Sequence, residues 1–193
     1  MPSSVSATSP TLLQQLTDRN AQAWEDMVRL YGPLIDSWVC RQGISPADAC
    51  DVLQDVFANV SRSLDSFERK GSGAFRAWLW RITRNEVINW FRHRARQANA
   101  AGGTAAWKQL ADVAASLPDA PDEHTDAAQL SALHQRALDL VRDEFEQRTW
   151  NIFQRAVMDN VSTKEVAEEF EITPNAVRQV RSRVLRRLRT ILD

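Results

Sequence analysis

Asn175, Arg178, Gln179, Arg181, Ser182, Arg183, Arg186 and Arg187 crowd into one short stretch near the C-terminal end of the 193-residue chain. Their chemistry is that of base-edge and phosphate recognition. Arginine can pair with guanine in the major groove and Gln or Asn with adenine, while further arginines hold the phosphate backbone. A second concentration runs FRAWLWRITRN from Phe75 to Asn85 and continues to WFRHR at Trp90 to Arg94. Rings interleaved with guanidiniums on one helix suit a nucleic-acid surface, where aromatics stack on exposed bases and arginines grip the backbone. Trp78 and Phe91 are expected in the core instead. Trp80 and Trp90 cannot both join the inward stripe, so at least one of these rings is expected near the surface. A third group, Asp48, Asp51 and Asp55, is acidic and recurs at helical spacing with Gln54 among it, which gives one exposed stripe while Val52, Val56 and Val60 face inward.

Other chemistries lack their residues. Cys40 and Cys50 stand ten apart with no CxxC and no histidine at ligand spacing, so ordinary buried thiols are expected rather than a disulfide or zinc site. No metal or other cofactor is implied. A recombinase would need a catalytic serine or tyrosine in an arginine-rich site, yet the only tyrosine, Tyr31, lies in an apolar stripe. The chain is read as non-enzymatic. The start, MPSSVSATSP, has no basic segment followed by an apolar one, and no apolar run approaches the roughly 20 residues that span a bilayer, so a cytoplasmic protein without a membrane partner is expected.

A net charge of -1 would by itself argue against a nucleic-acid binder. The distribution reverses that inference. Phe75 to Arg96 holds six arginines and one acid, Glu86, and Pro174 to Asp193 holds six arginines and one acid, Asp193.

These residues need helices to carry them. Apolar positions recur at spacings of three and four from about Leu12 to Gln97, and nothing alternates with period two, so the fold class is all-α, with two small helical domains joined by a flexible linker. Gly32-Pro33 interrupts the first stripe, which predicts two packed helices or one broken helix. Ser45-Pro46-Ala47-Asp48 is a helix start, with a capping serine and proline in the first turn. A loop from Asp65 to Gly73, containing Phe67, Arg69, Lys70 and Gly71-Ser72-Gly73, leads to a long helix from about Ala74 to Gln97.

Residues 1–10 read as a disordered tail, 11–97 as the first domain, 98–125 as the linker and 126–193 as the second domain. Within the linker, Trp107 and Leu110 suggest a contact or a short helical piece. In the second domain Ser162-Thr163-Lys164-Glu165 is a capping box. Glu171-Ile172-Thr173 forms a turn with an apolar middle residue, and Thr173 with Pro174 opens a basic helix. A short capped helix, a three-residue turn and a longer basic helix make a helix-turn-helix. Six arginines could merely solvate a terminal helix, but that leaves the turn unexplained.

The order of these segments resembles a minimal sigma factor of the sigma-70 superfamily, of the extracytoplasmic-function group. SPADACDVLQDVF, Ser45 to Phe57, looks like that family's acidic polymerase-binding helix. FRAWLWRITRNEVINWFR, Phe75 to Arg92, looks like its minus-ten helix, and Val161 to Leu188 looks like the helix-turn-helix for the minus-thirty-five element. Cys50 departs from a usual acid, Asn89 from a common Asp, and Glu171 from a turn position often held by Gly.

The resemblance implies a region 2-like first domain and a region 4-like second one. It assigns Asp48, Asp51, Gln54 and Asp55 to core RNA polymerase. Phe67, Arg69, Lys70, Ser72, Trp80, Arg81, Arg84, Asn85, Asn89 and Arg92 would serve the minus-ten element, and Asn175 to Arg187 the minus-thirty-five element. Implied partners are core RNA polymerase, double-stranded promoter DNA and its opened single strand, and a separate anti-sigma factor or other external signal. The competing reading is a one-component or response-regulator-type helix-turn-helix regulator. It accounts only for the C-terminus and needs a sensing domain that the sequence does not show.

Overall fold

The computed structural model of the chain describes residues 11–68, 73–100, 112 and 127–192, and every described element is helical. They are α1 (Leu12–Thr17), α2 (Ala21–Arg41), α3 (Pro46–Ser63), a 3-10 turn (Leu64–Ser66), α4 (Ala74–Ala100), α5 (Ala127–Asp143), α6 (Gln147–Phe153), a π turn (Gln154–Met158), α7 (Thr163–Glu169) and α8 (Pro174–Leu192). The expected all-α class is what the described residues form. The segment read as a linker lies outside them except for the end of α4 and residue 112, and Trp107 and Leu110 are among those outside. No described helix is long and apolar enough to cross a membrane.

Two compact units emerge, one from Trp24 to Leu133 and one combining the described residues through Ala23 with those from His134 onward. In the first, α2 is a single helix through Pro33, where two helices or a broken one were expected. A mid-helix proline costs about 3 kcal/mol. The stripe Leu30, Tyr31, Leu34, Ile35, Trp38 and Val39 keeps the same register on both sides of it and is fully buried, which outweighs that cost, and the Pro33 ring faces solvent.

Ser45 caps α3 as read, accepting the Asp48 amide at 3.2 Å and giving its hydroxyl to Asp48 Oδ2 at 2.7 Å. α3 buries Ala49, Val52, Val56 and Val60 and packs against α4. Neither cysteine is a buried thiol. Cys50 is exposed and Cys40 half-buried, because both fall beside rather than on the inward stripes of their helices. Desolvation, then the Asp36 carboxylate, push the Cys40 thiol up and leave it a poor nucleophile.

The second unit is built on Ile152, Val166, Ala167 and Val177, with Val161, Phe170, Ile172 and Val180 packed around them. The capping box is complete: Ser162 Oγ accepts from the Glu165 amide at 3.3 Å, and the Ser162 amide donates to Glu165 Oε2 at 3.2 Å. Thr173 caps α8 through the Ala176 amide at 3.2 Å. Arg155 ties the π turn to α7, its Nε lying 3.0 Å from Glu169 Oε2 and its guanidinium 3.1 Å from Asp159. α1 touches α8 within this unit.

Candidate nucleic-acid and polymerase interfaces

The first surface lies on α4. Arg81, Asn85, Asn89 and Arg92 are all exposed, and their spacings of four, four and three keep them in one narrow arc of the helix. Arg96 prolongs that arc. Asn89 Nδ2 donates to Glu86 Oε2 at 3.3 Å, and Glu86 also accepts from Asn59 of α3, so the one acid of this helix is occupied in fixing side-chain amides. Arg84 is half-buried at the edge of the stripe.

Trp80 does not belong to this surface. It is 1% exposed and meets Trp38 edge to face with centroids 5.3 Å apart, so it cannot stack on a base as expected. One position separates it from Arg81, and on a helix that turns it by about 100° toward the core. Trp78 and Phe91 are buried as read. Trp90 is the ring left half-exposed, with the Arg94 guanidinium 5.1 Å from its centroid.

Before α4, Phe67 is half-buried against Phe75 and Trp78, with centroids 5.6 and 5.0 Å away. This aromatic cluster, with Tyr31 5.2 Å from Phe75, anchors both ends of the loop. Arg69, Lys70, Gly71 and Ser72 lie outside the described residues. Gly73 leads into α4 at φ +77°, a conformation that glycine takes without strain.

The second surface is acidic. Asp51, Gln54 and Asp55 are exposed on α3, facing away from its valines. Asp48 starts the same stripe but is already engaged, holding Ser45 and receiving Arg94 of α4 at 3.2 Å. Nothing in the local sequence pointed to Arg94, which reaches Asp48 across 46 positions.

The third surface lies on α8. Val177, Val184 and Ile191 are buried, which turns Asn175, Arg178, Gln179, Arg181, Ser182, Arg183 and Arg186 outward. The turn before it carries Glu171 at φ +53°, the left-handed conformation that the sequence comparison with glycine anticipated. Ile172 packs into the core of the unit.

Arg187 departs from the expectation that it grips phosphate. Its Nε and terminal nitrogen each sit 2.6 Å from an oxygen of Glu144, a bidentate pair, and its side chain is only 14% exposed. Position 187 lies one turn from both buried Val184 and Ile191, so its stem runs along the core rather than outward. Arg183 leans on Phe145, 5.3 Å from the ring centroid. Both partners sit in the α5–α6 turn.

With these three surfaces in place, the comparisons with known proteins become specific. Residues 27–97, the stretch carrying the acidic α3 face and the basic α4 face, match the family model for sigma-70 region 2. That stretch of the chain is similar to sigma-70 region 2. Among similar proteins, the ECF RNA polymerase sigma-E factor of Escherichia coli (strain K12) is 32% identical over 83 residues, covering 43% of this chain and 42% of that protein. The RNA polymerase sigma factor CnrH of Cupriavidus metallidurans shows the same figures. The ECF RNA polymerase sigma factor SigE of Mycolicibacterium smegmatis is 31% identical over 74 residues, 38% of this chain and 28% of that protein. The chain therefore spans less than half the length of these relatives, and two of the three names carry the ECF designation of the extracytoplasmic-function group that it resembles.

Proposed function

We propose that the chain is a sigma factor: it binds core RNA polymerase and directs promoter-specific initiation by recognising and opening promoter DNA. The observation that carries this reading is the pairing, within the region 2 match, of an exposed acidic stripe on α3 with the exposed Arg81–Asn85–Asn89–Arg92 stripe on α4. A helix-turn-helix regulator has no use for that pair. In this reading Asp51, Gln54 and Asp55 meet the polymerase, with Asp48 bracing their helix. Arg81, Arg84 and Arg92 hold the backbone of the downstream element, while Asn85 and Asn89 offer donors and acceptors to its bases.

The loop with Arg69, Lys70 and Ser72, entered at Phe67, serves to capture an unstacked base. Holding a base out of the stack costs a few kcal/mol, which contacts there must offset. On α8, Asn175, Arg178, Gln179, Arg181 and Ser182 read the upstream element, while Arg183 and Arg186 position the helix on phosphates. The chain performs no catalysis itself, since nucleotide joining is the polymerase's. Its place of action is the cytoplasm, where a separate anti-sigma protein or other signal restrains it.

Splitting recognition between two modules makes specific binding weak until a partner fixes their separation. Gel shifts with and without core enzyme, followed by transcription from a random promoter library, test this. Specific binding is expected only in the complex, with one motif enriched among transcribed sequences. Nanomolar specific binding by the lone chain, with no association with core enzyme, favours the regulator reading instead.

A further inference from the structure

We propose that Glu144 is a positioning residue that sets the phosphate footprint of α8 by holding Arg187 off the DNA. The proposal rests on the reading of α8 as a DNA-binding helix. Arg187 is one of six arginines on that helix, and its fork is filled by both oxygens of one carboxylate at 2.6 Å, the arrangement a phosphate would otherwise offer it. The third side of the guanidinium is taken by Thr190 Oγ1 at 3.3 Å.

Glu144 is rigidly presented. Its own amide donates to the Val141 carbonyl at 3.1 Å and the next amide, of Phe145, to the Arg142 carbonyl at 3.1 Å, which closes the turn after α5. Phe145 meanwhile receives Arg183. Two successive residues of one turn thus engage two arginines one helical turn apart, of which Arg183 stays exposed, as do Arg178, Arg181, Arg186 and Arg189, while Arg187 does not. The Glu144 carboxylate is 38% exposed, so the pair can be opened from solvent without unfolding the unit.

The number of arginines that meet phosphate is legible in the salt dependence of binding, because each neutralised phosphate adds about 0.9 to the magnitude of the slope of log K against log salt. One added contact weakens binding about 3.5-fold more between 50 and 200 mM salt. The experiment measures full-chain binding to a 30-base-pair duplex of random sequence over that range by fluorescence anisotropy. Glu144→Gln takes the carboxylate away from Arg187 and is expected to steepen the slope by about 0.9. Glu144→Gln with Arg187→Gln is expected to return it to the starting value, and Arg187→Gln alone to leave it there.

Glu168→Gln, which removes an exposed acid 4.0 Å from Lys164, controls for net charge and is expected to change nothing. An unchanged slope in Glu144→Gln overturns the proposal, as does equal steepening in Glu168→Gln, or a flatter slope in Arg187→Gln alone. Arg186→Ala separates this from failure of the underlying reading. If it does not flatten the slope, α8 is not the DNA-binding face at all, whereas if it does flatten while Glu144→Gln has no effect, only the role of Glu144 falls.

Discussion

Trp38 of α2 and Trp80 of α4 meet edge to face, ring centroids 5.3 Å apart and planes at 79°, and both are sealed from solvent. That contact belongs to the buried face, with Phe75, Leu79, Val87 and Phe91, whose packing turns α4 about its axis and hence decides which residues its outer face shows. Trp80→Ala is expected to destabilise the N-terminal unit by about 3–5 kcal/mol, while Trp80→Phe costs less because most of the ring is kept. Urea unfolding measures the loss. A Trp80→Ala protein that keeps full stability but no longer opens promoters would return the ring to the DNA surface.

The acidic stripe separates stability from binding. Reversing Asp51 and Asp55 to Lys is expected to abolish association with core polymerase and to shift unfolding by no more than about 0.5 kcal/mol, since both side chains are exposed. Asp48→Asn should do the opposite in part, because it weakens the Ser45 cap and the Arg94 pair. A pull-down with core enzyme checks the first claim, and undiminished capture rejects it.

Asn85 sits mid-stripe on α4 with its side chain exposed. Asn85→Ala is expected to lower open-complex formation on a duplex promoter while retaining core binding, and to lose its effect on a template made abasic at the captured position. Permanganate reactivity of thymines in the downstream element provides the readout. Normal opening by the variant excludes base capture through this residue.

Glu171 at φ +53° bears a backbone cost that glycine lacks. Glu171→Gly is expected to stabilise the helix-turn-helix unit by about 0.5–1 kcal/mol, the remainder after glycine's larger loss of freedom on folding. Glu171→Val should destabilise it by about 1–2 kcal/mol, since a branched side chain tolerates this conformation least. Hydrogen exchange of α7 and α8 amides reports both. Slower exchange in the Val variant than in the Gly variant would be incompatible with strain at this turn.

The Ser162 hydroxyl, then its amide, hold the Glu165 carboxyl below its ordinary value of 4.5. A carboxyl depressed on folding contributes stability that is complete above the unfolded value and is lost as pH falls through the folded one. The capping box therefore weakens only below about pH 4.5. In Glu165→Gln, which keeps an acceptor but does not titrate, exchange at the start of α7 should lose that acid dependence. If wild type and variant respond identically to acid, the carboxylate is not what closes the box.

Wherever a rule acts over a few residues, the sequence was enough by itself. Ser45, Ser162 and Thr173 cap the helices they were expected to cap, because a cap depends only on the next three amides. The helical periodicity of α3 and α8 gave their outward faces, Arg187 excepted, and the Glu171 turn was marked by the absence of glycine. Pro33 shows where local reading stops, since its effect was decided by a buried stripe that extends past it on both sides.

Partners distant in the chain were beyond such reading. Whether Trp80 or Trp90 lay inward depended on Trp38, 42 positions before Trp80, and whether Arg187 was free depended on Glu144, 43 positions away. Both questions turn on which side chains share a space after the helices dock, and docking is set by the summed burial of whole faces rather than by any neighbouring residue. Charge and periodicity in the sequence therefore determined that three exposed, polar or charged faces exist. Only tertiary packing decided which tryptophan and which arginine leave them.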